Sequence, residues 1–305
     1  MSAVPIDEPS TAHSESGAIE LVITARPRDL GGFSVGRVLP SAQRRLVGPF
    51  AFFDHMIRHE LAPGHGMDVR PHPHIGLATL TYLFEGEIVH RDSLGSVQPI
   101  RPGDVNWMIA GRGITHSERT GDERRRSGGP VHGIQCWVAF PTADEEIEPR
   151  FEHHSHEAIP LVERPGARLR VIAGSAYGAR SPVGVRSPTF FVHAELEAGA
   201  ELPMPEEHEG RAAYVVDGEI DGGDGHEFGP SSLLVFRPQT QATVRARRPS
   251  RLMLLGGAEL DGPRHVWWNF VSSSTDRIER AKEQWRARGF PAIPGDDVEF
   301  IPLPD

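Results

Sequence analysis

The 305-residue sequence contains a single cysteine, Cys136. One cysteine excludes an internal disulfide and fits a reducing compartment. No stretch is apolar enough to cross a membrane. The opening residues, "MSAVPIDEPSTAHSESG", lack both the basic start and the apolar run of a secretory signal. The expectation is a cytoplasmic protein with a flexible lead-in over residues 1–18. Positive charge is also short: 32 Lys and Arg against 42 Asp and Glu leave a net charge of −10. That balance argues against direct nucleic-acid binding, which needs a basic surface, and leaves a protein partner open.

Helical periodicity is scarce as well. The one long amphipathic segment is "STDRIERAKEQWRARG", residues 274–289, where Ile278, Ala281, Lys282 and Trp285 share a face. Asp276 and Glu279 resemble a capping pair, and Gly289 before Pro291 is a natural stop. What the chain has instead is 33 glycines and 27 prolines between short β-type runs such as "IELVITARP", "ATLTYLFEGEI" and "RLMLLGG". In the first half "EG" and "LGS" read as hairpin signals, and "RPGD" turns the chain into "VNWMIA". The expected class is all-β.

An internal repeat divides the chain. "YLFEGEI", Tyr82 to Ile88, matches "YVVDGEI", Tyr214 to Ile220, and each copy is followed by a turn built on adjacent Pro and Gly. Two related β domains are expected. Their limits are residues 19–145 and 189–305, with a connector over 146–188.

The chemistry-bearing pattern lies in the first copy. "RPHPHIG" places His72 and His74 two apart, and a strand's period of two puts both imidazoles on one face. Pro73 between them cannot donate to a ladder, so it belongs at a strand start or edge. "GITHSER" repeats the spacing with His116 and Glu118. Alone, an H-x-H is weak, since two solvated rings at a strand end explain it equally. Two adjacent antiparallel strands, each giving a same-face pair, deliver three imidazoles and one carboxylate to one point. Such a set suits a divalent first-row metal, lacks the thiolates of a structural zinc site, and leaves positions open for substrate or O₂. In the second copy the positions of His72 and His74 fall on Met204 and Glu206. One metal per chain is expected, in the N-terminal half.

"HPHIGLATLTYLFEGEIVHRDSLGS", "IRPGDVNWMIAGRGITHSE", "VHGIQCWVAFP", "EPRFEHHSHEAIP" and "LRVIAG" resemble the pirin and pirin-like family, closely over residues 20–180 and more loosely beyond. The resemblance implies two cupin (jelly-roll type) β-barrels in tandem, with a short C-terminal helix. It implies one metal, usually iron, in the N-terminal barrel, and by it His72, His74, His116 and Glu118 are the ligands. Fe(II) comes first, with Mn, Co, Ni or Zn as alternatives. Some members oxidise flavonols such as quercetin with O₂, and animal pirin is also a nuclear co-regulator that responds to iron oxidation state. Family members commonly carry Glu where this chain has Ala78, a change expected to alter the metal pocket's polarity.

Two functions follow. The first is a quercetin 2,3-dioxygenase-type enzyme with Glu118 as catalytic base. The alternative is a non-enzymatic, redox-responsive iron-binding module for a protein partner. Other features read as structural: His153, His154 and His156 and the Arg124–Arg126 run as solvated loops, Gly111–Arg112–Gly113 as a tight turn, and Cys136 as a buried inert thiol. Of Trp107 and Met108, one must face the barrel interior.

Overall fold

The computed structural model describes residues 17–29, 33–223 and 225–304. All but the last two residues of the expected lead-in lie outside them. No helix among the described residues is long and apolar enough to cross a membrane.

Each half is built from a large antiparallel sheet and a small one. The first large sheet runs in the order Arg150–His154, Val105–Ile109, Leu77–Glu85, Gly129–Ala139, Phe50–Leu61, Ser34–Leu39, Arg26–Asp29. Its small partner has the order Asp68–His74, Ile114–Arg119, Ile88–Asp92, Val97–Ile100. The second half repeats the plan. Its large sheet has the Gly210–Asp217, Ser250–Gly257, Thr189–Leu196 and Ala167–Ala176 strands at its centre, and Thr243–Ala246 and Ile220–Asp221 sit in its small sheet.

Strand alternation sorts the side chains of the first large sheet. Ala78, Leu80 and Tyr82 point toward the second barrel, as do Ile134, Cys136 and Val138. There they join Phe191, Tyr214, Leu233 and Met253 in one continuous core between the two large sheets. Each fully buried large side chain in it contributes roughly 1.5–3 kcal/mol. The opposite parity, Leu77, Met108, Trp137 and Ala139, lines the first barrel's interior with Ile114. Met108 therefore faces the barrel and Trp107 the core between the barrels.

Hydrogen bonding crosses the expected limits at both ends. The Ile19–Thr24 strand pairs with Ser232–Phe236, so the first strand among the described residues belongs to the second sheet. The 146–188 stretch is not a free connector. Arg150–His154 pairs with Val105–Ile109 in the first sheet, and Leu161–Arg164 pairs with Ala167–Ala176 in the second.

The chain's end returns to the first barrel. Ile278, Ala281 and Trp285 of the Thr275–Arg286 helix pack with Phe270 and Phe290 against Ile75. Lys282 shares that face by laying its ammonium over the Trp267 ring, 4.4 Å from the centroid. The cap differs from expectation. Ser274 is the N-cap, its hydroxyl accepting from the Arg277 amide at 3.3 Å, and Asp276 lies inside the first turn. The helix stops at Arg286, before Gly289, because Arg288 takes a left-handed φ of 56°. Beyond it, the Trp285 indole donates to the Ile301 carbonyl at 2.9 Å, and the Ile301 amide donates to Pro71 at 2.9 Å. Gly76 (φ 69°) makes this return possible, since a Cβ there would meet the Val271 carbonyl oxygen at 2.0 Å.

Candidate metal centre

The Asp68–His74 strand is the edge of the small sheet, which is where Pro71 and Pro73 can be accommodated. It pairs antiparallel with Ile114–Arg119 in a register that sets His116 opposite His72 and Ile114 opposite His74. The three rings converge, with centroids 4.3 Å apart for His72–His116 and 5.0 Å for each of the other two pairs. One nitrogen from each lies within 4.8 Å of the others, the one group of three or more His, Cys, Asp or Glu side chains among the described residues close enough to hold an ion.

Hydrogen bonds fix which nitrogen is free. Nδ1 of His72 lies 2.8 Å from the Arg70 carbonyl and Nδ1 of His74 lies 3.0 Å from the Asn269 carbonyl. A carbonyl only accepts, so both Nδ1 atoms carry the proton and both Nε2 lone pairs are bare. His116 is set by a longer relay. His90 Nε2 donates to the Asp92 carboxylate at 2.9 Å, which leaves His90 Nδ1 as an acceptor for His116 Nδ1 at 3.5 Å. Nε2 of His116 is then the lone pair, and it is buried with no hydrogen-bond partner. Three unprotonated Nε2 atoms facing one point can hold a divalent metal ion.

The electrostatics agree. Burial holds all three imidazoles below their ordinary value, His74 and His116 well below it, and each ring's neighbours in the triad or His90 push the same way. They are neutral at physiological pH, as ligands must be. Burial works to raise the Asp92 carboxyl, but the His90 hydrogen bond and the Ser96 amide outweigh it, so it stays an anion that can orient His90.

Glu118 is buried on the same strand, but its carboxylate is engaged elsewhere. Both oxygens accept from the Gln135 side-chain amide, at 2.8 and 2.7 Å, and the Thr81 hydroxyl donates to one of them at 3.1 Å. A register shift in the neighbouring Asp68–His74 strand falls between the partners of His116 and Glu118. Glu118 sits opposite Val69, so an extra residue of the neighbouring strand intervenes. Thr81 and Gln135 are direct cross-strand partners in the facing large sheet.

Several sequence expectations are corrected here. Ala78 does not face the metal pocket. It lies with Ile109 and Val138 on the side of the large sheet packed against the second barrel. His153 and His154 are in a strand, bonded to Asn106 (2.7 Å) and Glu152 (3.2 Å). Arg124–Arg126 lie in a short helix, Asp122–Ser127, from which Arg125 pairs with Asp68 at 2.6 Å. Gly111 and Gly113 do form a tight turn, and Cys136 is buried with its thiol pushed up by desolvation. The second barrel fills the position equivalent to His72 with buried Met204.

His90 and Asp92 carry a sequence signal of their own, since "HRD" has the same two-residue spacing as the ligand pairs. Gln135, Thr81 and Asn269 carried no sequence signal.

Two stacked barrels of this plan, one enclosing a histidine triad, define a two-domain cupin. The Pirin family model matches residues 32–138, and the Pirin C-terminal cupin domain model matches residues 191–291. The chain belongs to the pirin family. A pirin-like protein of Caulobacter vibrioides is 52% identical over 290 residues, covering 94% of this chain and all of that one. Pirin of Rattus norvegicus is 29% identical over 276 residues, covering 88% and 91%. Among solved structures, quercetin 2,3-dioxygenase from Acinetobacter baumannii superimposes with a TM-score of 0.86 at 32% identity, covering 93% of this chain and 94% of that one.

Proposed function

We propose that the protein is a metal-dependent dioxygenase that opens a flavonol such as quercetin with O₂. In this reading one divalent ion, Fe(II) in the first instance, is held by His72, His74, His116 and Glu118. The single observation behind it is the orphaned Nε2 of His116, buried beside two imidazoles whose own Nδ1 atoms are already committed. The 32% identity to a quercetin 2,3-dioxygenase along nearly the whole chain supports the substrate class. A lone buried Cys136 supports a reducing, cytoplasmic setting.

A divalent ion bound there supplies Lewis acidity toward a flavonol hydroxyl and a redox route to O₂. The chain's residues do the rest. His90, Asp92, Arg70 and Asn269 keep the three Nε2 atoms unprotonated and aimed inward. Glu118 is the carboxylate left to take the flavonol hydroxyl proton, because the oxygens of Asp92 are occupied by His90 and by the amides of Leu94 and Ser96. Gln135 and Thr81 orient the Glu118 carboxylate through hydrogen bonds to its oxygens.

The test is anaerobic loading with Fe(II), then quercetin, then air. Loss of flavonol absorbance with matching O₂ uptake is expected. One observation favours the alternative, a redox-responsive binding module: the three histidines are only 7%, 1% and 1% exposed. If Fe(II), Mn(II), Co(II) and Ni(II) all bind and none turns over a flavonol, that alternative replaces the enzyme.

A further inference from the structure

On the side of the Leu77–Glu85 strand turned away from the triad, the two barrels part into a cleft of about 240 Å³. Its floor is one face of the second large sheet. Along the Ala167–Ala176, Thr189–Leu196 and Ser250–Gly257 strands that face carries Ile172, Phe191 and Met253 where the barrels touch. Farther along the same face come Arg170, Arg168, His193, Glu195 and Arg251. Register places Arg168 beside Glu195, Glu195 beside Arg251, and Arg170 beside His193. The opposite wall is Tyr82, Leu83 and Phe84 of the first barrel.

Three guanidiniums thus line a cleft that offers one carboxylate, in a chain whose net charge is −10. The bland explanation is a set of ordinary ion pairs, and the distances speak against it. Glu195 is 3.6 Å from Arg168 and 3.8 Å from Arg251, and Glu163 is 3.8 Å from Arg168, all too far for hydrogen bonds, while Arg170 donates one bond, to the His156 carbonyl at 3.1 Å. Two other arginines of this protein do close on carboxylates in forks, Arg37–Asp54 at 2.9 and 2.8 Å and Arg119–Asp296 at 2.8 and 2.7 Å.

Two buried polar atoms on the floor, Arg251 Nε and His193 Nε2, have no hydrogen-bond partner. For His193 the reason is visible. Its Nδ1 is 2.9 Å from the Tyr82 hydroxyl, whose buried proton has that nitrogen as its acceptor, so His193 Nε2 carries a hydrogen it donates to nothing. The Arg251 guanidinium is steadied over the Phe84 ring, 4.9 Å from its centroid.

We propose that this cleft is a second ligand site, taking a small molecule that bears a carboxylate or phosphate group, held by Arg168, Arg170 and Arg251. Guanidiniums fork onto planar and tetrahedral oxyanions, and a cleft between two barrels screens such a charge less than open surface does. The site is independent of the metal centre, from which the Leu77–Glu85 strand separates it.

The test is calorimetric titration of the full-length protein at low ionic strength with inorganic phosphate and, separately, with succinate. Saturable binding of phosphate alone assigns a phosphate site, of succinate alone a carboxylate site, and of both a general oxyanion site. Binding of neither overturns the proposal. The Arg168→Gln/Arg170→Gln variant is expected to weaken binding roughly tenfold or more. Glu195→Gln removes the competing carboxylate and is expected to tighten binding several-fold, a gain that misfolding cannot mimic. Undiminished binding in the double arginine variant, or an equal loss in Arg245→Gln on the outer small sheet, overturns it.

Discussion

Tyr82 of the first barrel reaches His193 of the second, its hydroxyl 2.9 Å from Nδ1, and Tyr214 of the second reaches His55 of the first at 3.0 Å. The two tyrosines are the same position of the internal repeat, so the fold uses it twice, reciprocally, to clasp the barrels together. All four side chains are buried. Removing either hydroxyl leaves a buried imidazole nitrogen unpaired, which costs about 1–3 kcal/mol. Tyr82→Phe and Tyr214→Phe are each expected to lower stability by that amount in urea unfolding. Unchanged midpoints in both would show that the clasp contributes nothing.

The histidines of the clasp make stability depend on pH. Burial, with the nearby Arg251, Arg170 and Arg168, pushes His193 down to about 3, and burial with His132 does the same to His55. Their ordinary value is 6.5, so between pH 6.5 and 3 the unfolded chain binds protons that the folded chain refuses. Stability is therefore full above pH 6.5 and falls as pH drops through that window. By pH 5 each histidine accounts for about 2 kcal/mol of loss. The buried triad adds to the same slope, so the informative comparison is His193→Gln against wild type. The variant should lose less stability than wild type between pH 7 and pH 5. Equal slopes would mean that His193 is protonated in the folded state.

Asp92 is expected to govern metal affinity without touching metal. Asn at this position keeps an oxygen for the Leu94 and Ser96 amides. It also presents an NH₂ to His90 Nε2, which must then become an acceptor, and the proton moves to His90 Nδ1. That proton points at His116 Nδ1 and favours the His116 tautomer with hydrogen on Nε2, the wrong one for a ligand. Asp92→Asn should weaken metal binding about 10- to 100-fold with the fold intact by circular dichroism. Wild-type affinity in this variant would remove the relay from the account.

How far the sequence could be read follows from the range of each interaction. The H-x-H and H-x-E spacings are local, so a strand's period of two was enough to bring His72, His74 and His116 onto a common interior. The repeat at Tyr82 and Tyr214 likewise announced two β domains. Alternation fails across a corner, however. The chain turns at Ile75–Gly76 and enters a different sheet at Leu77 with its phase reversed, which is why Ala78 could not be placed from His74. Contacts set by tertiary packing, such as Asn269 on His74 across 195 positions, leave no periodic trace. The pairing of Ile19–Thr24 with the second sheet is of the same kind, since its own pattern says only that one face is buried.

Glu118 decides between ligand and base. Its two oxygens are held by Gln135 and Thr81 across the barrel, while its strand neighbour His116 already points at the triad's centre. Three imidazoles retain affinity for a divalent ion by themselves. Glu118→Gln keeps the size and an oxygen donor but removes the charge and most of the basicity. The variant should therefore hold metal at reduced affinity, whereas His72→Ala with His116→Ala should abolish it, both measured by elemental analysis after dialysis. Flavonol oxidation should fall by about 10²-fold or more in Glu118→Gln, the scale on which a positioned general base acts. Gln135→Leu separates the two roles. It keeps the carboxylate but removes the amide that holds both its oxygens, so metal content should hold while the rate of quercetin oxidation changes. Wild-type turnover by metal-loaded Glu118→Gln would refute the base assignment, and full metal content in the double histidine variant would refute the centre itself.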